Sequence, residues 1–237
     1  RGGGKSWAVR TKAKLMALRY PGIRLLLVRR TYQELENNHI RFLRRELAGI
    51  AEYRATGRQF VFPNGSVLDF GYCACDGDLD RYQGAEYDVI FLDEATQFTE
   101  YQFSTLTACL RGANPFPKRM YFTCNPGGVG HSWVKRLFVD KEYRGAENPA
   151  DYTFIPARVY DNKVLMKSDP GYVKMLQSLP KGLREAWLEG KWDQFAGQFF
   201  PEFQEDAHVC QPFSIPVSWR RYFAMDYGLD MLAGYFI

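Results

Sequence analysis

The sequence predicts an α/β fold, a mostly parallel sheet flanked by helices, and three observations predict it. Two short, wholly apolar runs, LLLV at 25–28 and VIFL at 89–92, have the length and composition of strands buried on both faces. Helix-length stretches stand between and after the strand candidates, and that alternation gives a parallel sheet covered on both sides. Acidic, Thr/Asn and Gly-rich residues collect just past the strand ends, where open α/β sheets place their ligands.

Each element follows from its own residues. Residues 7–20 carry Ala8, Leu15, Met16 and Leu18 among Lys and Arg, a helix stopped by Pro21-Gly22. Residues 23–30 form the first strand and 31–47 a long helix. Residues 59–62 and 66–72 flank Pro63-Asn64-Gly65, a hairpin signal. Strand 89–92 leads through acids into a helix at 100–110. Strand 119–124 ends at Asn125-Pro126-Gly127-Gly128, a loop, and a helix resumes at 132–139. Residues 170–190 read as one or two short helices. Residues 194–218 lose periodicity and collect Pro201, Pro212 and Pro216, which suits a linker. Residues 221–226 and 232–237 read as two strands joined by a tight turn. The expected organisation is a first domain at 1–193, a linker at 194–218 and the start of a second domain at 219–237. The chain begins at Arg1 without Met and stops inside an apolar run, so it is expected to be a fragment cut at both ends.

Of the 237 residues, 46% are hydrophobic and 24% charged, which excludes a disordered tail, a collagen-like chain and a coiled coil. No apolar run approaches the roughly 18 residues of a membrane span, and RGGGKS is not a secretory signal. The five cysteines (Cys73, Cys75, Cys109, Cys124, Cys210) are scattered and odd in number, which predicts reduced thiols inside a cell. Cys73 and Cys75 have neither a second pair nor a spaced His to make a zinc site. A net charge of +4 permits a polyanionic partner without requiring one.

Three segments carry chemistry. Gly2-Gly3-Gly4-Lys5-Ser6 precedes a helix and matches the second half of G-x-x-x-x-G-K-[ST]. In that pattern glycines let backbone N–H groups approach phosphates, Lys supplies charge and the hydroxyl meets Mg²⁺. A plain Gly-rich loop is the alternative. Arg1 beside it could reach a γ-phosphate or stand in solvent. The second segment is VIFL-Asp93-Glu94-Ala95, which sets Asp93 at the end of a buried strand, where an acid can hold the water shell of Mg²⁺. Glu94 can polarise an attacking water; a strand ending in a polar helix cap is the blander possibility. Together these two segments point to a P-loop NTPase. The third, Thr123-Cys124-Asn125, could sense a γ-phosphate from a neighbouring strand end or be an ordinary Asn-Pro-Gly turn.

The order GGGKS, VIFLDEA, YFTCNPGG and HSWVKRLF resembles the large terminase subunit of tailed bacteriophages and prophages, as do LLLVRRT at 25–31 and LEGKWDQFAGQFFPEF at 188–203. That resemblance implies an ASCE-type P-loop ATPase joined to an RNase H-like nuclease, packaging double-stranded DNA into procapsids. It implies that Gly2 to Ser6 bind ATP (Walker A), that Ser6 and Asp93 (Walker B) hold Mg²⁺, and that Glu94 is the catalytic base. Thr123, Cys124 and Asn125 become the coupling motif, Arg1 the arginine of the phosphate loop, and Arg81 the candidate finger supplied to a neighbouring subunit. Arg81 is otherwise a surface arginine. Asp226, in FAMDYG, resembles the first Mg²⁺- or Mn²⁺-binding aspartate of the nuclease, otherwise a turn residue; no nuclease activity is expected from this chain alone. The implied partners are double-stranded DNA, the small terminase subunit, the portal protein and further copies in a ring, with no membrane, in the host cytoplasm. Competing expectations are a helicase or other P-loop DNA-dependent ATPase, and a non-catalytic DNA-binding or assembly module.

Basic residues are dense early (Arg10, Lys12, Lys14, Arg19, Arg24, Arg29, Arg30) and again at Arg41, Arg44 and Arg45; they read as DNA contacts or as a solvated helix face. His39, His131 and His208 are isolated in sequence.

Overall fold

The structure is a computed structural model that describes residues 2–192, 208–227 and 232–236. The chain divides into two units, at 1–201 and 202–237.

The first unit is built on a six-stranded sheet of order β2-β3-β4-β1-β5-β6. Its strands are β1 (Arg24–Arg29), β2 (Glu52–Arg54), β3 (Gln59–Val61), β4 (Val67–Tyr72), β5 (Val89–Leu92) and β6 (Arg119–Phe122). Strands β4, β1, β5 and β6 are mutually parallel, while β2 and β3 add an antiparallel flank. The mostly parallel α/β expectation therefore stands. Alternation within the central strands sorts the core into two layers. Leu25 and Leu27 of β1 with Val89 and Phe91 of β5 face one side, against Val9, Ala13, Met16 and Ala17 of the first helix (Lys5–Arg19). Leu26, Val28, Ile90 and Leu92 face the other, against Phe98, Leu106, Trp133 and Leu137.

The long helix after β1 starts at Thr31, whose hydroxyl accepts from the Glu34 N–H at 3.3 Å while Glu34 accepts from the Thr31 N–H at 3.2 Å. It runs Tyr32–Leu35, widens into a π turn over Glu36–Ile40 and resumes over Arg41–Glu46. A second π turn, Lys135–Asp140, follows the helix His131–Val134. Periodicity at 3.6 anticipates both helices but neither π turn. Nor does the sequence announce β2: exposed Glu52 and Arg54 around half-buried Tyr53 carry no strand signal and are held by pairing with β3. The predicted strand 119–124 ends at Phe122, so Thr123 to Asn125 leave the sheet. Short helices Lys163–Ser168, Gly171–Gln177 and Lys181–Arg184, with a π turn at Glu185–Glu189, pack around Val159, Val173, Leu176 and Leu188.

The second unit contains β7 (Phe223–Tyr227) and β8 (Leu232–Phe236), an antiparallel pair in which Asp226 stands opposite Ala233. Most of the expected linker, 194–207, lies outside the described residues. Among the described residues no helix is long and apolar enough to cross a membrane.

Candidate functional site

Because β1, β5 and β6 are parallel neighbours, the residues at or just past their ends, Arg29, Asp93 and Thr123, arrive at one carboxyl edge. The first helix begins beside them. It opens on three glycines, of which Gly2 (φ +80°) and Gly4 (φ +74°) occupy the left-handed region. A Cβ on Gly3 would lie 3.0 Å from the Ala157 carbonyl oxygen. No side chain caps this helix and no acid stands in its first turn. Its first N–H groups thus form a positive cradle for an anion.

Asp93 is completely buried, yet every polar neighbour favours its ionised form. Its Oδ2 accepts from Arg29 at 2.5 Å and from His39 Nε2 at 2.8 Å. Its Oδ1 accepts from Thr123 through a short hydrogen bond and from Ser6 Oγ at 3.5 Å. Burial pushes the Asp93 pKa up, but the His39 hydrogen bond, the Arg29 charge and the Thr123 hydroxyl outweigh it and hold the carboxyl well below the usual range. His39 is also fully buried and its Nδ1 has no hydrogen-bond partner among the described residues. Against the ionised Asp93 carboxylate, His39 Nε2 is the donor of this hydrogen bond. Arg29 reaches on to Glu34 at 3.4 Å, tying Asp93 to the cap of the next helix.

Glu94 is held differently. Its backbone is left-handed (φ +60°), a strained conformation for a non-glycine residue. The Thr123 hydroxyl accepts from the Glu94 N–H at 3.1 Å and the Thr123 carbonyl from the Ala95 N–H at 2.7 Å, which keeps the turn in place. Asn125 Nδ2 donates to both Glu94 carboxylate oxygens, at 3.1 and 3.2 Å, and Asn125 Oδ1 accepts from Lys5 Nζ at 2.9 Å. One amide thus bridges the lysine of the glycine loop and the acid of β5. Thr96 Oγ1 donates to the Asn125 carbonyl at 2.9 Å. The loop behind is packed so closely that a Cβ on Gly128 (φ +90°) would sit 2.5 Å from the Thr96 carbonyl oxygen. His131 Nδ1 accepts from the Gly127 N–H at 2.9 Å, which makes this histidine a loop brace.

A cavity of about 400 Å³ opens beside this cluster, lined by Lys5, Cys124 and Asn125 on one side and by Ile155, Arg158 and Trp187 on the other. Burial pushes the Cys124 thiol up to about 12, so it remains neutral.

Seven predicted residues are therefore brought together: Gly4, Lys5, Ser6, Asp93, Glu94, Thr123 and Asn125. Arg81 is not among them. It pairs with Asp78 at 2.7 Å and lies over the Tyr72 ring at 3.9 Å. Arg1 lies outside the described residues, as does the side chain of Asp226. Two participants escape the sequence reading. Sequence alone groups Arg29 with surface charges, yet it is buried against Asp93, and His39, isolated in sequence, is its neighbour there. A charge ending an apolar strand next to the acid-bearing strand is a usable signal for Arg29. For His39 the i, i+4 spacing from Leu35 and to Leu43 marks a buried helix face, but not its partner Asp93. Arg10, also expected at the surface, is buried and donates to the Asn38 carbonyl at 2.6 Å.

A family model described as "Terminase large subunit, T4likevirus-type, N-terminal" matches residues 1–206. No curated protein sequence matches the chain. Among solved structures, the large terminase from a thermophilic bacteriophage superposes with a TM-score of 0.67 at 20% identity, over 96% of this chain and 55% of that one. The same terminase in complex with ADP gives 0.67 at 18%, over 99% and 57%. A variant of the Thermus phage P74-26 large terminase ATPase domain gives 0.50 at 16%, over 83% and 86%. The chain spans little more than half the length of the thermophilic-phage terminase, and at these identities the likeness is one of fold.

Proposed function

The chain belongs to the terminase large subunit family, matching its T4likevirus-type N-terminal part, and from that premise we propose that it is the ATP-hydrolysing motor region of an enzyme that packages double-stranded viral DNA. The observation that carries the reading is the convergence of Lys5, Ser6, Asp93, Glu94 and Asn125, drawn from three segments up to 120 residues apart, on one strand edge. The thermophilic-phage and P74-26 proteins, described as a large terminase with bound ADP and as a large terminase ATPase domain, support it.

The donor set fits a hydrated Mg²⁺: a hydroxyl and an ionised carboxylate oxygen 3.5 Å apart, beside a glycine cradle. Ser6 and Asp93 would hold it, and Mg²⁺ when bound supplies charge against the β- and γ-phosphate oxygens. The chain's own groups do the rest. Gly2 to Gly4 and the helix start would cradle the phosphates, with Lys5 as the mobile charge. Arg29 and His39 keep Asp93 ionised and fixed in direction. Glu94, aimed by Asn125, orients the attacking water and receives its proton. A γ-phosphate would compete with the Asn125 Oδ1 for the Lys5 ammonium, so its arrival would draw Lys5 from the amide and its loss would restore the bridge. That exchange is our assignment for the coupling motif, with Cys124 as a neutral spacer between Thr123 and Asn125. Arg1 in the loop, or Arg81 released from Asp78 towards a neighbouring subunit, would stabilise transition-state charge.

Within the same reading, the small terminase subunit, the portal protein and a ring of copies are the partners, in the host cytoplasm. Residues 1–193 are the motor and 194–218 the linker; Asp226 opens a nuclease that would use Mg²⁺ or Mn²⁺ in a longer protein. The test is ATP turnover by the protein in its longest natural form, with and without duplex DNA. Stimulation by duplex, abolished in Lys5→Ala, supports the reading; turnover indifferent to both would sink it.

A further inference from the structure

Away from the cluster around Asp93, three arginines and three tyrosines form an unbroken contact series. Arg44 lies over the Tyr53 ring at 4.3 Å, and the Tyr53 hydroxyl meets the Tyr32 hydroxyl at 3.2 Å. Arg58 lies over Tyr32 at 4.3 Å and near Tyr72 at 5.9 Å, and Arg81 closes the series over Tyr72. All three arginines are exposed while the three tyrosines are half-buried, so the rings form a floor and the guanidinium groups stand on it. Arg44 also meets Glu36 at 3.6 Å, and Arg81 is held by Asp78. Arg58 makes no ion pair among the described residues.

Arg58 carries a second mark. It is one of three non-glycine residues with positive φ (+51°) among the described residues, in the turn between β2 and β3, directly after Gly57. Glycine would take that conformation without strain. A strained, exposed, unpaired arginine braced on two tyrosines is a costly arrangement for folding alone. The tyrosines flank the path to Asp93: Tyr72 stands opposite Arg29 in the β1–β4 register, and Tyr32 opens the helix whose Glu34 holds Arg29.

We propose that Arg44 and Arg58, on their tyrosine floor, are contacts for the phosphate backbone of duplex DNA. The assignment rests on the motor reading above and locates its DNA-facing surface. Planar, pre-oriented guanidinium groups suit phosphate oxygens and need no particular base sequence.

The test is anisotropy of a labelled random-sequence duplex of about 30 base pairs, titrated across salt concentration. The variants are Arg44→Gln, Arg58→Gly and the pair. Arg58→Gly is chosen because glycine accepts φ +51°, so lost binding there is not lost folding. Each replacement should weaken binding about tenfold near 50 mM salt and make the log K against log salt slope shallower by about 0.9, the pair by about twice that. A wild-type protein that binds duplex, with variants of equal affinity and slope, overturns this assignment alone. Failure of the wild type to bind duplex overturns the motor reading and this one with it. Unchanged duplex binding, with lost binding of a polyglutamate peptide, also overturns it and gives the surface to an acidic protein.

Discussion

Replacing Arg29 with Met keeps an unbranched apolar stem and removes the guanidinium and its charge. Asp93 is wholly buried, and Arg29 contacts its Oδ2 at 2.5 Å. Breaking a buried ion pair from one side costs about 3–5 kcal/mol, because the remaining charge is left without compensation. His39 and Thr123 still serve the carboxylate, which favours the lower half of that range. For a unit of this size each kcal/mol is worth about 2–4 °C, so Arg29→Met should lower Tm by roughly 6–15 °C in calorimetry. Asp93→Asn should cost a comparable amount by stranding Arg29. The double replacement should recover about 2 kcal/mol or more against the sum of the singles, since neither charge then remains. A Tm within about 2 °C of wild type for Arg29→Met, or strict additivity in the double variant, would refute the claim that Arg29 sustains the ionised Asp93.

Other consequences follow from the same geometry. Asn125→Ala removes the amide that aims Glu94 and should lower the ATP turnover number on the order of 100-fold, with nucleotide affinity nearly preserved; an unchanged turnover number contradicts the role given to Asn125. Asp93 and Asp88 both have folded pKa values below their unfolded ones, Asp88 because the Arg24 N–H and Lys118 outweigh its burial. The unfolded chain therefore takes up their protons first as pH falls. Their stabilisation is complete above about pH 4 and is lost progressively below it. Urea midpoints should hold from neutral to about pH 5 and fall progressively below about pH 4; a flat profile down to about pH 2 would count against both networks. Gly128→Ala forces a Cβ to within 2.5 Å of the Thr96 carbonyl at φ +90°. It should destabilise by about 1–3 kcal/mol, and an unshifted denaturation midpoint would show that the loop yields freely.

Strands β1 and β5 are legible in the sequence because burial on both faces leaves a run of apolar residues with no alternative use. The glycine loop and the Asp93-Glu94 pair are legible because their chemistry is carried by adjacent residues. What escapes depends on tertiary placement. β2 exists through its pairing with β3, not through its own sequence. His39 shares the buried helix face of Leu35 and Leu43, but nothing in the sequence says that this face meets Asp93. Arg29 resembles any surface arginine until the strand order sets β1 against β5. Asn125 sits in a sequence that also makes an ordinary turn, and only the distances to Lys5 and Glu94 distinguish the two uses. For Arg81, the finger candidate of the family resemblance, the sequence does not announce its contacts with Asp78 and Tyr72.

The central claim is that Glu94 activates water at a site where Lys5 and the glycine loop bind ATP. The direct measurement is ATP binding and Mg²⁺-dependent hydrolysis by Glu94→Gln beside wild type, each in its longest natural form. The account predicts nucleotide affinity within about threefold of wild type and turnover lower by at least about 100-fold, roughly the worth of a positioned base. Turnover by Glu94→Gln at the wild-type rate, or a folded wild-type protein that binds no ATP, would contradict it.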